Sequence, residues 1–456
     1  MTARPLFRKV SVLAFAFGLL FLISASGAIL SFARCGVLLG QHLDQQKIDS
    51  GQISFDDVVN TGAILFTGNL SEMPGFGSET RPGFNHVIGP DSFSCVSCHN
   101  QITAPNGLVI NLPGGAGDFN TNIFNGTSSL TSSAGANERN TPQLFGVGAK
   151  EQLAKEMSAD LQRVQAAAVA EATSCHCIVL KELTSKSVSF GWVLANPDGS
   201  IQSGGADGVD SDLVIKPFGH KGTTTNLRTF SIDPMNRHHG LQAEEKFGTG
   251  ADPDEDGVAN ELSVGDITAL ALWQATRPAP AAVLPSDLSE IKQIDSGQDL
   301  FGVIGCVQCH IPALPMDNSK FQLTNPLDSN RALTFDLADT LGLEKGADGK
   351  IMVPLYGDLK RHDMGEELSD PKSESGVSAS LFMTSELWGV GSTGPYLHDG
   401  RAPTLQAAIE AHGGDARRAR DSFMALSEDG KEKVLEFLRS LAITPEHVEK
   451  NLPVCN

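Results

Sequence analysis

The chain twice places two cysteines three positions apart and follows the second cysteine at once with a histidine. The two sets are Cys95, Cys98 and His99, and Cys306, Cys309 and His310. Two thiols about one helical turn apart can form thioethers with the vinyl groups of a haem, while the adjacent imidazole ligates the iron. Paired C-x2-C spacing also occurs in four-cysteine zinc sites, but a histidine after both pairs favours haem. The sequence therefore predicts two covalently attached c-type haems.

The N-terminal residues have the layout of an export signal. Arg4, Arg8 and Lys9 precede an apolar run of 21 residues from Val10 to Leu30. This pattern predicts a signal peptide at residues 1–33 with cleavage after Ala28 or Ala33. The run is also long enough to span a bilayer, so an uncleaved anchor is the alternative. Because c-type haem is attached after export, both readings agree with the two motifs and predict a periplasmic protein.

Charge and the remaining cysteines narrow the class further. The chain has 34 basic and 54 acidic side chains, a net charge of −20, which disfavours nucleic acid and anionic membrane surfaces. Such a charge suits a basic or neutral electron-transfer partner, and membrane contact is expected only through an uncleaved anchor.

The cysteines outside the two motifs are Cys35, Cys175, Cys177 and Cys455. An even number in an oxidising compartment favours disulfides, although S-C-H-C at 174–177 could also bind a metal.

Short repeated motifs predict how the 456 residues are organised. G-x-x-L-F at 62–66 and 297–301 precedes each haem motif, and T-x-x-L-aromatic-G-V-G at 141–148 and 384–391 follows it. Strong helix formers fill 150–172, and an apolar face within 428–443 is typical of a closing helix. Between them, 187–202 and 212–232 contain strand formers around turn residues. We expect a mainly α fold with two cytochrome c-like haem domains at 50–174 and 263–445, and a β-rich insert at 175–262.

The end of the insert contains an alternating acidic loop. Asp252, Asp254 and Asp256 precede Gly257, a spacing that turns three carboxylates toward one hard cation. Ser263 stands where the usual bidentate glutamate would be. The carboxylates or amides that could complete a calcium shell are those of Asn260, Glu261 and Asp266. A solvated acidic turn is the alternative.

Four longer blocks carry a resemblance to a known family. They are R-N-T-P-Q-L-F-G-V-G at 139–148, V-I-K-P-F-G-H-K-G at 214–222, R-H-D-M-G-E-E-L at 361–368, and 384–416, which contains Y-L-H-D-G-R-x-x-T-L. From residue 62 to 441 the chain resembles the di-haem oxidoreductases, relatives of bacterial di-haem cytochrome c peroxidases and MauG-type enzymes.

The resemblance implies a second axial ligand for the C-terminal haem. In the peroxidase relatives this ligand lies fourteen residues after the histidine of the H-D-G block and is usually methionine. Counting from His398 gives His412, so imidazole stands in place of a thioether. A His310/His412 pair should give a lower haem potential than His/Met ligation. The other candidates are Met364, Met383 and Met424.

The resemblance also implies that the N-terminal haem meets peroxide. The family's H-x-G-x-Q stretch falls on R-H-H-G-L-Q at 237–242, which makes His238 or His239 the candidate second ligand, with His86 and His220 behind them. Glu151 is the candidate distal acid or base and Trp388 the candidate electron relay. The side chains expected to support the haems are Arg139 and Arg401, at the propionates, and His362 and His398, as hydrogen-bond partners around the ligands.

Three functions remain open from sequence. The first is a periplasmic di-haem oxidoreductase that reduces peroxide or a related oxidant with electrons from a small cytochrome or cupredoxin. The second is a di-haem electron carrier in which both irons are fully ligated. The third is an oxidative enzyme of the MauG or rubber-oxygenase type. An open iron favours the enzymes, and a strong sixth ligand at both irons favours the carrier.

Overall fold

The structure is a computed structural model that describes most of the chain after the apolar N-terminal run. The described residues are 42–73, 75–76, 92–103, 109–111, 114–116, 123–125, 137–202, 204–253, 255, 257–346 and 350–444. The predicted leader at 1–33 and several candidate residues lie outside these ranges, namely Cys35, His86, Asp254, Asp256 and Cys455. Within the ranges, no helix is both long enough and apolar enough to cross a membrane.

Helices and short strands alternate along the described residues. The α-helices are α1 (Gln45–Asp49), α2 (Phe55–Thr67), α3 (Val147–Cys175), α4 (Leu227–Arg237), α5 (Glu244–Phe247), α6 (Val264–Ala275), α7 (Leu288–Val303), α8 (Leu337–Leu341), α9 (Leu405–Ala411), α10 (Arg417–Met424) and α11 (Glu428–Ser440). The strands are β1 (Gln101–Thr103), β2 (Val109–Asn111), β3 (Ile123–Asn125), β4 (Asn137–Arg139), β5 (Val179–Ser185), β6 (Val188–Ala195), β7 (Ile201–Gln202), β8 (Leu314–Met316), β9 (Lys320–Asn325), β10 (Asp328–Asp336), β11 (Ile351–Val353), β12 (Arg361–Asp363) and β13 (Leu381–Met383). Single 3-10 turns occupy Leu70–Glu72, Cys95–Ser97, Cys306–Gln308, Glu366–Leu368 and Gly414–Ala416.

The strands form small antiparallel sheets that are spread along the chain. The pairs are β1 with β2, β3 with β4, β8 with β11, β9 with β10 and β12 with β13, and the larger sheet has the order β5-β6-β7. The predicted β-rich insert therefore contains only β5 to β7, and strands also lie on both sides of it. Short hairpins carry little sequence signal because each buries only a few side chains.

The end of one segment predicted as extended is helical. The prediction covered 212–232, but α4 begins at Leu227. The side chain of Asn226 caps this helix by accepting a hydrogen bond of 2.8 Å from the Thr229 N–H. Strand formers such as Thr229 and Phe230 are overridden here by the cap and by packing against α6.

The repeated G-x-x-L-F motif has one physical cause in both halves. A Cβ atom added at Gly62 in α2 would lie 2.6 Å from the carbonyl carbon of Ala269 in α6. A Cβ atom added at Gly297 in α7 would lie 2.6 Å from the carbonyl carbon of Lys433 in α11. In both places two helices cross so closely that only glycine fits. The two halves therefore use the same helix crossing before each cysteine motif.

The G-V-G motifs are equivalent in the same way. Gly146 and Gly389, the first glycines, have φ angles of +74° and +83°, which favour residues without a Cβ atom. Gly148 packs against the backbone of Ala275 at the end of α6, and Gly391 packs against that of Arg439 at the end of α11. The predicted internal repeat is thus visible as repeated backbone packing.

The crossing at Gly62 also moves a module boundary. Residues 263–445 were assigned to the C-terminal haem domain, but α6 packs on α2 and lies in the N-terminal module. Its fully buried residues join a large core with α2, α3 and the β5-β6-β7 sheet. A second core contains Phe301, Phe423, Val434 and Phe437. The N-terminal module is therefore completed by a helix that follows the insert, a long-range pairing that spacing alone does not reveal.

Candidate functional site

The two C-x-x-C-H segments have the same local conformation. In the first, the N–H groups of Cys98 and His99 both donate to the Cys95 carbonyl oxygen, at 3.1 and 2.9 Å. In the second, Cys309 and His310 donate to the Cys306 carbonyl oxygen at 3.3 and 2.9 Å. Each 3-10 turn places its two thiols at the same end of a helix pair.

The phenylalanine of each L-F pair packs beside the motif histidine. The rings of Phe66 and His99 are 5.7 Å apart, and those of Phe301 and His310 are 6.3 Å apart. Their interplanar angles are 52° and 51°. The L-F pair therefore buries and orients the imidazole in both modules.

A cavity of about 440 Å³ lies around the second motif. Its walls include Cys306, Cys309 and His310 on one side and Ala408 and His412 on another. Apolar side chains from several elements line the rest, among them Phe301, Ile304, Leu405, Ile409 and Leu438. A concave, mostly apolar space with a few convergent polar groups is the usual form of a cofactor site.

Both histidines of this cavity are held by the backbone through one ring nitrogen. The Nδ1–H of His310 donates to the Tyr356 carbonyl oxygen at 3.1 Å. The Nδ1–H of His412 donates to the Ala408 carbonyl oxygen at 2.7 Å. This tautomer leaves the Nε2 lone pair of each ring available for a metal.

Burial keeps these imidazoles neutral. Burial, together with a smaller effect of the neighbouring His412, lowers the pKa of His310 to about 4. Burial also lowers the pKa of His412. Both rings are therefore in the unprotonated form that iron ligation requires.

The thiols fit thioether formation better than zinc binding. Burial raises the pKa of Cys95 and of Cys306 to about 12, so both are neutral thiols. Among the described residues, the one group of three or more metal-binding side chains close enough to share an ion is Cys309, Asp358 and His362. The two cysteine pairs do not converge on one point. The four-thiolate zinc site weighed from the sequence therefore has no geometric support among the described residues.

His99 of the first motif is buried in the larger core. Burial lowers its pKa to about 4, an effect only partly opposed by the carbonyl groups of Pro142 and Gly115. The next cause that lowers it is the nearby His238, and His239 also contributes. The Phe66 ring that contacts His99 also contacts Trp273 in α6, at 4.4 Å. His238 and His239 are thus both close to His99, and iron ligation by either of them stays a prediction.

Two contacts of its ring nitrogens orient His239. Its Nδ1–H donates to the Ser92 carbonyl oxygen at 2.8 Å, and its Nε2 faces the Cys95 Sγ at 3.4 Å. This is the same backbone-held tautomer as in His310 and His412. His220, a further candidate, instead donates its Nε2–H to the Asn140 carbonyl oxygen at 2.9 Å and lines the C-terminal cavity.

A buried ionic cluster lies behind His398 and Phe382, two residues that line the cavity around the second motif. The Arg139 guanidinium binds both carboxylate oxygens of Asp370, at 2.8 and 2.7 Å, and reaches Glu374 at 2.6 Å. Lys221 is fully buried and lies 2.9 Å from Asp370. The cluster is neutralised internally, because two cations face two carboxylates.

An aromatic stack joins this cluster to the cavity wall. The Lys221 ammonium lies 3.4 Å from the Phe382 ring centroid, and the His398 ring stacks on Phe382 at 4.3 Å. His398 also approaches Asp370, at 3.4 Å. Sequence reasoning missed Lys221 and Asp370, although Lys221 stands beside His220 in one of the family blocks. Their partners are far away in sequence, so only the fold brings them together.

This cluster bears on the expected role of two arginines. Arg139 was predicted to neutralise a haem propionate, but its guanidinium is bound to Asp370 and Glu374. Arg401 is bound to Asp399 and to the Glu367 carbonyl oxygen at the surface. Carboxylates of the chain itself already bind both guanidinium groups, so a propionate role for Arg139 and Arg401 stays a prediction. Within the described residues, the cations that line the cavity are Lys150, Arg418, Arg420 and the protonated His362.

His362 is a hydrogen-bond partner at the edge of the cavity, as predicted. Its ring makes hydrogen bonds through Nε2 to Asp358, at 2.7 Å, and through Nδ1 toward Cys309 Sγ, at 3.9 Å. Burial by itself would lower its pKa, but the hydrogen bonds with Asp358 and Cys309 raise it to about 10. His362 therefore carries a positive charge beside the attachment thiol.

Glu151 and Trp388, the predicted catalytic residues, are both buried. The Glu151 carboxylate accepts a hydrogen bond of 2.7 Å from the Leu227 N–H at the start of α4 and pairs with Lys155 at 2.5 Å. It is not among the cavity-lining residues of the described chain. The Trp388 ring lies on Gly146, where an added Cβ atom would be 2.6 Å away. Glu151 therefore has a helix-capping role here, and Trp388 is positioned between the two G-V-G segments.

The remaining candidates divide by position. Met364 and Met383 line the cavity, whereas Met424 is an exposed side chain outside it.

In the acidic loop, Asp252 accepts a hydrogen bond from the Gly257 N–H at 3.1 Å. Asp266 is not free to complete a calcium shell, since it caps α6 through Ser263 and binds His42 at 2.6 Å. Calcium binding by Asp252, Asp254 and Asp256 stays a prediction.

The comparison with family models supports a di-haem redox function for the chain. Residues 241–441, which span α6 and the whole C-terminal module, match the family model described as "Di-haem oxidoreductase, putative peroxidase". This match confirms the family resemblance predicted from the sequence and the assignment of the protein as a di-haem oxidoreductase enzyme.

Other comparisons add little to this assignment. Among solved structures, the chain is similar to a hydrazine synthase of Kuenenia stuttgartiensis studied under xenon pressure, with 15% identity and a TM-score of 0.23. The similarity covers 41% of this chain and 58% of that chain, which is too distant to bear on function. No curated protein matches the sequence.

Proposed function

We propose that the protein is an exported di-haem c-type oxidoreductase that reduces peroxide or a related small oxidant at its N-terminal haem. Electrons would come from a small cytochrome or cupredoxin through the C-terminal haem. Cys95 and Cys98 would hold one haem and Cys306 and Cys309 the other, with His99 and His310 as axial ligands. When bound, haem supplies one-electron redox chemistry and an iron that can bind an oxidant.

One observation carries the proposal for the C-terminal site. His310 and His412 line the same apolar cavity, and each is fixed by a backbone carbonyl so that Nε2 remains unprotonated. Two neutral, pre-oriented imidazoles on one cavity are the donor set of a six-coordinate haem. This pairing favours an electron-relay role for the C-terminal site.

At the N-terminal site we propose His239 as a displaceable second ligand, with His238 beside it. His239 has the same tautomer as His412, and it lies two residues beyond the C-terminal end of α4. We propose that His239 leaves when the C-terminal site is reduced, which would open the N-terminal site to oxidant.

A second candidate function is supported by the same histidines. Because both sites offer a second imidazole, a di-haem electron carrier with two closed sites also fits the geometry. The position of Glu151 favours the carrier, since this carboxylate caps α4 and is engaged by Lys155. The oxidative MauG or rubber-oxygenase type differs from the peroxidase in substrate, and no described side chain selects between them.

The spin state of each haem separates these functions. An alkaline pyridine spectrum should first give two c-type haems per chain, and haem extractable into acidified organic solvent would refute covalent attachment. We then expect both haems to be low-spin when oxidised and the N-terminal haem to become high-spin in half-reduced protein, which should consume peroxide. A His238→Ala/His239→Ala variant should react without prior reduction. Two haems that stay low-spin in every redox state and ignore peroxide would make the carrier the correct function.

The C-terminal ligand is tested by its own variants. His412→Met should raise the potential of that haem and His412→Ala should give a high-spin signal. Met364→Leu and Met383→Leu are matched controls on the same cavity and should leave potential and spectrum unchanged. An effect of either methionine variant, with none from His412, would assign the ligand to methionine.

Export is tested on the mature protein. N-terminal sequencing should find a chain that begins after Ala28 or Ala33 in the periplasmic fraction. An intact N-terminus in the membrane fraction would indicate the uncleaved anchor.

A further inference from the structure

A disulfide between Cys175 and Cys177 ends the longest described helix. Only His176 separates the two cysteines in sequence. Both cysteines are exposed, as are His176 between them and Ile178 after them. The bridge is therefore within reach of a reagent or a partner in solution.

This disulfide is expected to add little to the stability of the fold. The chain entropy removed by a disulfide grows with the number of residues in its loop, so a bridge across one residue removes little. The backbone already forms the turn without it. His176 has a φ of +55°, and the N–H groups of both His176 and Cys177 donate to the Ala172 carbonyl oxygen. Exposed disulfides are the ones most open to attack by a thiolate.

An exposed apolar surface lies directly beside the bridge. It consists of Ile178, Leu180 and Trp192, which are 64%, 61% and 41% exposed. Leu180 pairs with Leu194 across the β5-β6 ladder and Glu182 pairs with Trp192, so the indole is a diagonal neighbour of Leu180. We call these three residues the β5-β6 patch.

The aromatic member of the patch is held in place. The backbone N–H of Trp192 donates to the Gly205 carbonyl oxygen at 2.9 Å. The indole lies on Gly205 so closely that a Cβ atom there would be 2.7 Å from Cε3. A rigid, partly exposed tryptophan binds a partner with little loss of side-chain entropy, which is typical of interface anchors.

We propose that Cys175–Cys177 is a thiol-disulfide exchange site whose partner is a dithiol oxidoreductase protein that docks on the β5-β6 patch. A partner thiolate attacks one sulfur, which forms a mixed disulfide and releases the other cysteine as a thiolate. The partner's second thiolate then breaks the mixed disulfide. The partner leaves as a disulfide, and Cys175 and Cys177 gain two electrons and two protons.

This site is independent of the proposed haem chemistry. Helix α3 has 29 residues and is about 43 Å long at 1.5 Å per residue. Its first turn lines the cavity through Val147 and Lys150, whereas the disulfide is at its opposite end. Failure of one proposal therefore leaves the other standing.

The test uses the folded full-length protein and one tryptic peptide. Cleavage after Arg163 and Lys181 gives residues 164–181, which contain both cysteines. The protein is incubated without denaturant with a reduced thioredoxin-type protein or with dithiothreitol, and free thiols are alkylated. The number of alkyl groups on the peptide is then followed over time by mass spectrometry. We expect two alkyl groups to appear with either reductant.

Surface variants separate docking from simple reduction. Trp192→Ser should slow reduction by the protein dithiol about tenfold, the loss typical of removing one interface anchor, and leave the rate with dithiothreitol unchanged. Trp192→Phe should restore most of the rate, and Leu327→Ser, which removes a more exposed apolar side chain elsewhere, should have no effect. A peptide that is alkylated only after denaturation would refute the exchange site. Equal rates for wild type and Trp192→Ser, or equal slowing with both reductants, would refute docking on the patch.

Discussion

The helix crossing at Gly297 gives the sharpest quantitative test of the C-terminal module. In Gly297→Ala the new Cβ atom would lie 2.6 Å from the Lys433 carbonyl carbon and 3.0 Å from the Phe437 Cβ atom. Carbon atoms in contact are normally about 3.5–4.0 Å apart, so α7 and α11 would have to separate by roughly 1 Å. The obstacle is backbone, which cannot rotate away. We expect overpacking to lower the free energy of unfolding by about 3 kcal/mol, which is the upper part of its usual range. The better helix propensity of alanine should restore about 1 kcal/mol of this loss.

The same helix contains the matched control. A Cβ atom at Gly302 would meet no atom within 4 Å. Gly302→Ala should therefore be neutral or stabilise by up to about 1 kcal/mol. The two alanine variants differ only in whether the added methyl group meets the facing helix.

Hydrogen exchange resolved by peptide measures the effect where it occurs. In Gly297→Ala, peptides from α7 and α11 should lose protection, while those from α2 and α6 should keep it. The urea midpoint should fall for Gly297→Ala and stay or rise for Gly302→Ala. If both variants have the same midpoint and protection, the helices do not cross at Gly297 and the equivalence with Gly62 is wrong.

Three further predictions concern buried polar groups. Asp370→Asn should lower stability by about 3–5 kcal/mol, because it leaves Arg139 and Lys221 buried without their shared carboxylate. Asp421→Asn, at the exposed pair with Arg420, should cost about 1 kcal/mol or less. Similar losses in the two variants would contradict the buried cluster. Burial lowers the pKa of His220 to about 4, below its unfolded value of 6.5, so its contribution is complete above pH 6.5 and decreases as the pH falls toward 4. This loss is about 2 kcal/mol at pH 5, and urea midpoints against pH should be flatter for His220→Gln; parallel curves would count against the assignment. Glu151→Gln should lower stability by about 1 kcal/mol through its weaker cap on α4 and leave peroxide turnover unchanged, and a loss of turnover with normal stability would instead make Glu151 catalytic.

Local sequence signals predicted the parts of the site that depend on short spacing. The C-x-x-C-H turns and the phenylalanines before them depend on residues within one or two helical turns. The repeated glycines were visible as a motif, although the sequence did not show which helix each one faces. His412 was reached by counting from His398 within a family block, and the structure brings it to the cavity of His310. Such features can be predicted from sequence because the backbone geometry that creates them is local.

Features that depend on distant partners could not be predicted. Helix α6 packs on α2 across about two hundred residues, and no local pattern distinguishes that choice from packing in the C-terminal module. Arg139 and Asp370 are 231 positions apart, so the arginine looked available for a propionate. The orientation of His239 depends on the Ser92 carbonyl group, which is 147 positions away. Periodicity and propensity carry no information about such pairings.

Contacts between the segments that follow the two haem motifs explain how one site could influence the other. The Asn140 N–H donates to the His398 carbonyl oxygen at 2.7 Å, and its side chain donates to the Pro395 carbonyl oxygen at 2.7 Å. Lys150 and Glu386 form an ion pair at 2.6 Å, and the Trp388 ring lies on Gly146. These segments also contain Pro142, which faces His99, and His398, the first residue of the H-D-G block that leads to His412. We expect a displacement of one segment by a change of ligand at its haem to shift the other, because the two are joined by backbone hydrogen bonds and buried pairs. This contact gives the proposed opening of the N-terminal site on reduction of the C-terminal site a direct structural route.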